Sequence, residues 1–260
     1  MRNLLITIRF CGAAYHGFQV QRNALSVCQV FQDAVQQAFG TRYDIKGCSR
    51  TDAGVHANRY CISMKVDDAL TVPCRGLAEA LNARLPGDVA VIACREVPQD
   101  FHARYSCVGK RYLYLYHNGP VRDPFLKARA YHCQGSLALD DESMNEAAAG
   151  FVGRHDFSAF CAAGGSVEDK VRVIYAAGVH RRGDLVAFSV TGSGFLYNMV
   201  RIMAGTLLEV GQHRLDPQAI PAILAGRDRG RAGMTLPPDG LYLDDVFYSA
   251  DQLPGAPQQP

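Results

Sequence analysis

Eight consecutive residues, Ser49-Arg50-Thr51-Asp52-Ala53-Gly54-Val55-His56, set a guanidinium, a carboxylate, a glycine and an imidazole side by side. A carboxylate placed this way can act as a nucleophile, provided that it stays ionised. Enclosure in a pocket raises its pKa by desolvation, and a nearby guanidinium opposes that rise. Loops of this composition between rigid elements are where function concentrates. A simpler reading competes: an Asx-type turn in which Asp52 bonds its own backbone and Gly54 supplies a positive φ. On composition alone the turn is favoured.

Other reactive side chains have equally plain alternatives. Lys110, Tyr112, Tyr114 and Tyr116 fall on one face of an alternating segment, a pattern that suits half-buried packing as well as an aromatic platform. Arg201 lies beside a helical apolar stripe of Leu196, Val200, Met203 and Leu207, where an arginine commonly extends to solvent. His56, His102 and His155 lack ligand spacing, and the nine cysteines include no Cys-x-x-Cys pair. No metal site and no disulfide framework is expected. The cysteines read as small buried apolar residues.

The elements that must position these groups can be read from periodicity. Residues 3–10 alternate as a strand, and Ser26 caps a helix that Gly40 stops. Strands at 43–48 and 59–66 flank the Arg50–His56 segment, placing it on a strand-to-strand connection. A helix follows with Thr71 as its cap and Pro73 in its first turn, and then a strand at 89–97. Strand, helix, strand, strand, helix, strand is the ferredoxin-like order. The second half repeats the theme with strands at 110–117, 171–181, 185–191 and 241–248. Its helices are expected near 140–151, 195–210 and 217–224. The expected fold is α/β (α+β), with two ferredoxin-like or RRM-like halves forming a mainly antiparallel central sheet around a cleft. The halves are placed at 1–107 and 108–249. The loop 118–127 is the best boundary zone, with the strand at 110–117 open to being shared by both halves. A loose tail is expected at 250–260, where Leu253–Pro260 has little to bury.

Composition narrows the function classes. Hydrophobic residues make up 48% and charged residues 20%, which excludes disordered and fibrous chains. No signal peptide or membrane-length apolar run is present, so a cytoplasmic protein without membrane contact is expected. The net charge of +2 does not by itself mark a nucleic-acid binder. Yet 22 of the 27 basic residues are arginine, and residues 170–231 hold nine basic against four acidic residues. A guanidinium fork suits phosphate, although a solvated arginine surface fits equally well.

Five ordered blocks resemble the tRNA pseudouridine synthase A family. They are Arg50-Thr51-Asp52 with Gly54-Val55-His56; Phe101–Ser106 running into Lys110-Arg111-Tyr112; His155–Phe160; Gly194–Arg201; and Gly240-Leu241-Tyr242-Leu243. The resemblance spans roughly residues 3 to 248. It implies an isomerase that converts uridine to pseudouridine in the anticodon stem-loop of tRNA by base flipping, working as a homodimer. It also implies that Asp52 attacks the target nucleotide and Arg201 pairs with the carboxylate. Arg50 fills the gap left by the flipped nucleotide, and Tyr112 stacks on the base and assists removal of its C5 proton. Arg50, Thr51, His56 and Tyr112 are the expected substrate contacts. Breaking a carbon–nitrogen bond and making a carbon–carbon bond between the same partners involves no net redox change, so no cofactor is expected. The chain departs from the family in Ser49, in Asn58-Arg59-Tyr60-Cys61 and in Thr235-Leu236-Pro237-Pro238. Two rivals stand beside the isomerase: a non-catalytic RNA-binding module of the same fold, and an aspartate-nucleophile hydrolase of small molecules.

Overall fold

A computed structural model describes residues 1–133, 138–165 and 167–254. In chain order the strands and helices are β1 (Arg2–Phe10), α1 (Val27–Phe39), β2 (Ile45–Gly47), β3 (His56–Val66), α2 (Cys74–Asn82), β4 (Val89–Val97) and β5 (Gly109–His117). There follow β6 (Tyr131–His132), α3 (Asp141–Ala149), β7 (Gly153–Asp156), β8 (Val171–Arg182), β9 (Leu185–Gly192), α4 (Met199–Gly211), α5 (Ile220–Gly226) and β10 (Leu241–Phe247). The architecture is mixed α/β with mostly antiparallel sheet. The chain divides into two compact units: Met1–Val108 with Tyr242–Tyr248, and Gly109–Leu241 with Ser249–Pro260.

In the first unit, β1 is flanked by antiparallel β4 and β3, and β2 pairs with the far side of β3. The order β4-β1-β3-β2 with two helices is the ferredoxin-like arrangement. Leu4, Ile6, Ile8, Tyr60, Ile62 and Met64 lie in the core of this sheet, together with Phe31 and Val35 of α1 and Leu77 and Leu81 of α2. Each such apolar side chain contributes on the order of 1.5–3 kcal/mol on burial. Helix α1 is delimited by local chemistry. The Ser26 hydroxyl accepts from the Gln29 N–H at 3.3 Å, and Gly40 ends the helix with φ +72°. Helix α2 begins at Cys74, two residues later than a Thr71 cap implies, because Pro73, expected in its first turn, is extended at φ −60°, ψ 154° and sits outside the helix as its cap.

The strand at 242–248, read as the end of the second half, lies in the first unit. It runs parallel to the start of β3, with Tyr242 opposite His56 and Leu243 opposite Ala57. Asn58 donates to Asp244 at 2.8 Å and Arg59 pairs with Asp245 at 3.1 Å, so the residues that depart from the family bind this strand. Contacts between segments so distant in sequence leave no local signal.

In the second unit β5, β9, β8 and β7 follow one another in antiparallel order, and β6 runs parallel to β5. The loop 118–127 therefore falls inside this unit. Strands β6 and β7 were not anticipated: the first has two residues, and the second, Gly-Arg-His-Asp, carries no apolar alternation. Helix α4 is almost wholly buried, and the Tyr116 hydroxyl ties it to β5 by donating to the Ala204 carbonyl at 2.8 Å. It starts at Met199, four residues after the expected Phe195, because Asn198 adopts a left-handed conformation at φ 57° and breaks the helical path. The segment from Pro217 begins as a 3-10 turn capped by Asp216 before α5. Residues 250–252 form a further 3-10 turn, and the rest of the expected loose tail, 255–260, lies outside the described residues. No helix among the described residues is long and apolar enough to cross a membrane.

Candidate active site

Asp52 occupies the connection from β2 to β3, and every stretch of that connection is held by named contacts. At its start, the Tyr60 hydroxyl accepts from the Ser49 N–H and donates to the Ser49 carbonyl, while the Tyr60 ring stacks on Phe18 at 4.2 Å. The Cys48 N–H donates to the Cys61 carbonyl at 2.9 Å. At its centre, the Val55 N–H donates to the Asp52 carbonyl at 3.2 Å, and Gly54 takes φ +80°. A tight turn with the anticipated positive φ at Gly54 is thus present, closed through the Asp52 backbone carbonyl. It is a backbone turn, and it leaves Asp52 half-buried.

The loop that follows β1 braces this turn. The Gly54 N–H donates to the Tyr15 carbonyl at 3.1 Å. A Cβ on Gly17, which has φ +80°, would stand 2.2 Å from the Thr51 carbonyl oxygen, and one on Gly12 would stand 1.9 Å from that of Val55. Backbone packs on backbone at both places, so glycine is required. Tyr15 is anchored in turn: its hydroxyl donates to Asp88 at 2.7 Å, and burial followed by this carboxylate pushes the phenol well above its ordinary pKa. The 12–17 bracket escaped the sequence reading. Its signal was Gly12 and Gly17 on either side of Tyr15 immediately after a strand.

The expected contact residues of this unit differ in character. Arg50 is exposed. The Thr51 hydroxyl oxygen is buried and has no hydrogen-bond partner among the described residues. His56 is 1% exposed: its Nδ1 accepts the Gly12 N–H at 3.0 Å, and its ring stacks on Tyr242 at 4.6 Å.

Tyr112 and Arg201 belong to the second unit. Tyr112, on β5 opposite Val190, is 7% exposed and meets the Phe195 ring edge-on at 5.0 Å. Its neighbours in the stripe are structural: the Tyr114 hydroxyl donates to the Pro237 carbonyl and that of Tyr116 to Ala204, both at 2.8 Å. On α4, the Arg201 guanidinium donates from Nε to the Leu236 carbonyl at 2.6 Å and from Nη1 to the Asn198 side chain at 2.8 Å. The side chain is therefore fixed by its own unit and does not simply extend to solvent. Leu236 and Pro237, within the departing Thr-Leu-Pro-Pro run, supply the carbonyls for Arg201 and Tyr114.

Six arginines of the 170–231 stretch have partners within their own unit. Arg181, Arg214 and Arg227 pair with Asp141, Glu209 and Asp156, while Arg172, Arg201 and Arg229 bond backbone carbonyls. His102 and His155 also serve the local backbone, the first accepting from the Arg104 N–H and the second bonding the Val152 carbonyl, each at 3.0 Å. Among the described residues, no three His, Cys, Asp or Glu side chains are grouped so as to hold a metal ion.

Comparison with known proteins assigns the chain. A family model described as tRNA pseudouridine synthase matches residues 6–106 and 147–249. Similar curated proteins include tRNA pseudouridine synthase A of Ruminiclostridium cellulolyticum, 43% identical over 249 residues that cover 95% of this chain and 100% of the relative. The protein of the same name from Acetivibrio thermocellus is 43% identical over 248 residues, with the same coverage. tRNA pseudouridine synthase A 2 of Clostridium tetani is 40% identical over 250 residues, covering 95% and 99% of the two chains. The matched segments contain Arg50, Thr51, Asp52, His56 and Arg201, whereas Tyr112 falls between them. This chain belongs to the tRNA pseudouridine synthase family.

Proposed function

We propose that this protein isomerises uridine to pseudouridine in tRNA, with Asp52 as the nucleophile. The observation that carries the reading is the placement of Asp52: a half-buried carboxylate on a turn whose backbone is fixed by Gly12, Tyr15, Gly17 and Tyr60. A nucleophile must be held close to its attack position, and a turn braced by backbone contacts does this. The reaction breaks the bond from the ribose to uracil N1 and forms one to C5, and the C5 proton leaves as N1 regains one. Nothing is oxidised or reduced, so side chains suffice.

The remaining roles follow from chemistry. Uracil's reacting atoms are inaccessible in a stacked helix, and the exposed, long, cationic Arg50 suits a wedge that replaces the flipped nucleotide. The unpartnered Thr51 hydroxyl suits a hydrogen bond to the bound nucleotide. Arg201 is the proposed counter-cation that keeps the Asp52 carboxylate ionised. Tyr112 is proposed to stack on the base, an interaction worth roughly 1 to 3 kcal/mol. At 7% exposure its face must be uncovered on binding. His56, enclosed between Gly12 and Tyr242, is proposed as a positioning residue in place of a substrate contact. The target in the anticodon stem-loop and the homodimer rest on the family resemblance, and action in the cytoplasm on the lack of a signal-peptide or membrane-length apolar run in the sequence.

The test is incubation with uridine-containing tRNA transcripts followed by mapping of pseudouridine. Product formed by the wild type and absent with Asp52→Asn, with tRNA binding retained, supports the reading. Absence of product from the wild type, with tight binding indifferent to Asp52→Asn, would leave an RNA-binding module.

A further inference from the structure

Helix α4 begins without the usual side-chain cap. Its N-cap residue, Asn198, stands in the left-handed region at φ 57°, ψ 10°, and its side chain accepts nothing from the first turn of the helix. An asparagine in this place ordinarily accepts the N–H two or three residues on. Ser26 and Asp140 do so for α1 and α3. Asn198 instead turns its Oδ1 to an arginine, accepting from Arg201 Nη1 at 2.8 Å. The backbone still opens the helix, with the Asn198 carbonyl accepting from the Ile202 N–H at 3.0 Å. Asparagine is one of the few types that tolerate the left-handed conformation, so this residue meets two demands at once.

The same guanidinium is held at a second point. Arg201 Nε donates to the Leu236 carbonyl at 2.6 Å, and the Leu236 N–H returns a bond to the Arg201 carbonyl at 3.3 Å. Leu236 is fully buried. Its segment is seated against α4 one turn farther on. There a Cβ on Gly205 would stand 1.9 Å from the Met234 carbonyl oxygen, and the Gly233 N–H donates to the Thr206 hydroxyl at 2.9 Å. The acceptor at Nε is therefore a fixed piece of backbone. One such contact leaves the guanidinium free to swing about it, and a second, at Nη1, sets its plane. Asn198 supplies the second. Orientation matters because a planar cation meets a carboxylate well only when its N–H groups point along the right directions.

We infer that Asn198 is a positioning residue for the isomerisation: it forgoes capping α4 and holds the Arg201 guanidinium in the orientation that a carboxylate partner requires. The inference rests on the proposed reading of Arg201 as the counter-cation of Asp52. Asn198 acts through Arg201, so its loss should lower turnover and leave tRNA binding in place.

The experiment measures pseudouridine formation on tRNA transcripts with the full-length protein. Asn198→Gly keeps the left-handed backbone without strain and removes the amide. Its kcat should fall by about tenfold or more, the loss expected for one hydrogen bond to a charged group, with KM near that of the wild type. On an Arg201→Lys background the same change should have little further effect, because the guanidinium it served is gone. Asn198→Gly with wild-type kcat would overturn the inference, as would an undiminished loss on the Arg201→Lys background. Arg201→Ala separates the inference from the reading beneath it. Lost turnover in Arg201→Ala beside normal turnover in Asn198→Gly removes the inference alone, whereas normal turnover in Arg201→Ala removes both. In NMR spectra of protein isotope-labelled at arginine, Arg201 should show a guanidinium of hindered rotation in the wild type and a freely rotating one in Asn198→Gly. Free rotation in the wild type would contradict the inference even if the variant fails to fold.

Discussion

The Nδ1 of His56 accepts the backbone N–H of Gly12 at 3.0 Å, in a site where His56 is 1% exposed and its ring is stacked on Tyr242. This one bond joins the two ends of the machinery around Asp52: Gly12 opens the bracing loop and His56 closes the reactive turn. An accepting Nδ1 leaves the ring proton on Nε2 in the neutral imidazole.

Replacing His56 by Ala strands the buried Gly12 N–H, which costs about 1–3 kcal/mol. Thermal unfolding should show a lowered Tm. Because the change loosens the carrier of Asp52 without touching substrate, kcat should fall while KM stays near that of the wild type. His56→Asn, which offers an acceptor oxygen, should recover part of both losses. A rise in KM with kcat unchanged would instead mark His56 as a substrate contact.

Gly17 and Gly40 form a matched pair, with φ +80° and +72°. An alanine at Gly40 meets nothing within 4 Å and should cost only the left-handed backbone penalty of roughly 1–2 kcal/mol. At Gly17 the same change also drives a Cβ to 2.2 Å from the Thr51 carbonyl oxygen. Gly17→Ala should therefore be the more destabilising in a denaturant titration and should depress turnover, while Gly40→Ala leaves turnover intact. Equal effects on turnover would refute the bracing role of the 12–17 loop.

Tyr112 carries two proposed duties, and they separate cleanly. Tyr112→Phe keeps the ring, so a stacking role alone predicts near-normal pseudouridine formation. Tyr112→Leu should then lose roughly 1 to 3 kcal/mol of base interaction, read as a fall in kcat/KM of about 5- to 150-fold. If Phe already abolishes product while tRNA binding persists, the hydroxyl takes part in removing the C5 proton.

Asp140 caps α3 by accepting from the Ser143 N–H at 3.0 Å and the Ser143 hydroxyl at 2.8 Å, and these bonds hold its carboxyl below the usual 3.8. A depressed folded-state pKa stabilises above the unfolded value and loses that stabilisation as pH falls through the folded one. Asp140→Ala should cost about 0.5–2 kcal/mol at neutral pH. The gap from wild type should narrow only below pH 3.8, as measured by urea denaturation across pH.

Where local chemistry decides an element, the sequence sufficed. Ser26 and Gly40 delimit α1 as their types require, alternation at 3–10 recovers β1, and the Pro86-Gly87-Asp88 turn marks the start of β4. Where distant segments decide, it did not. Nothing near Tyr242 shows that it will stack on His56, and nothing near Ile92 shows that β4 will slip its register against β1 there. The Arg50–His56 segment was legible as reactive only through its resemblance to a family, since an ordinary turn explains the same composition. A turn with positive φ at Gly54 is formed there through the Asp52 backbone carbonyl, and Asp52 stands on it half-buried.

The most direct test of the central claim is the yield of pseudouridine from unmodified tRNA transcripts with wild type and Asp52→Asn at equal concentration, with tRNA affinity measured in parallel. Removing the nucleophile should abolish product and leave affinity within a few-fold. Pseudouridine formed by Asp52→Asn at a rate comparable to wild type would contradict the assignment of Asp52.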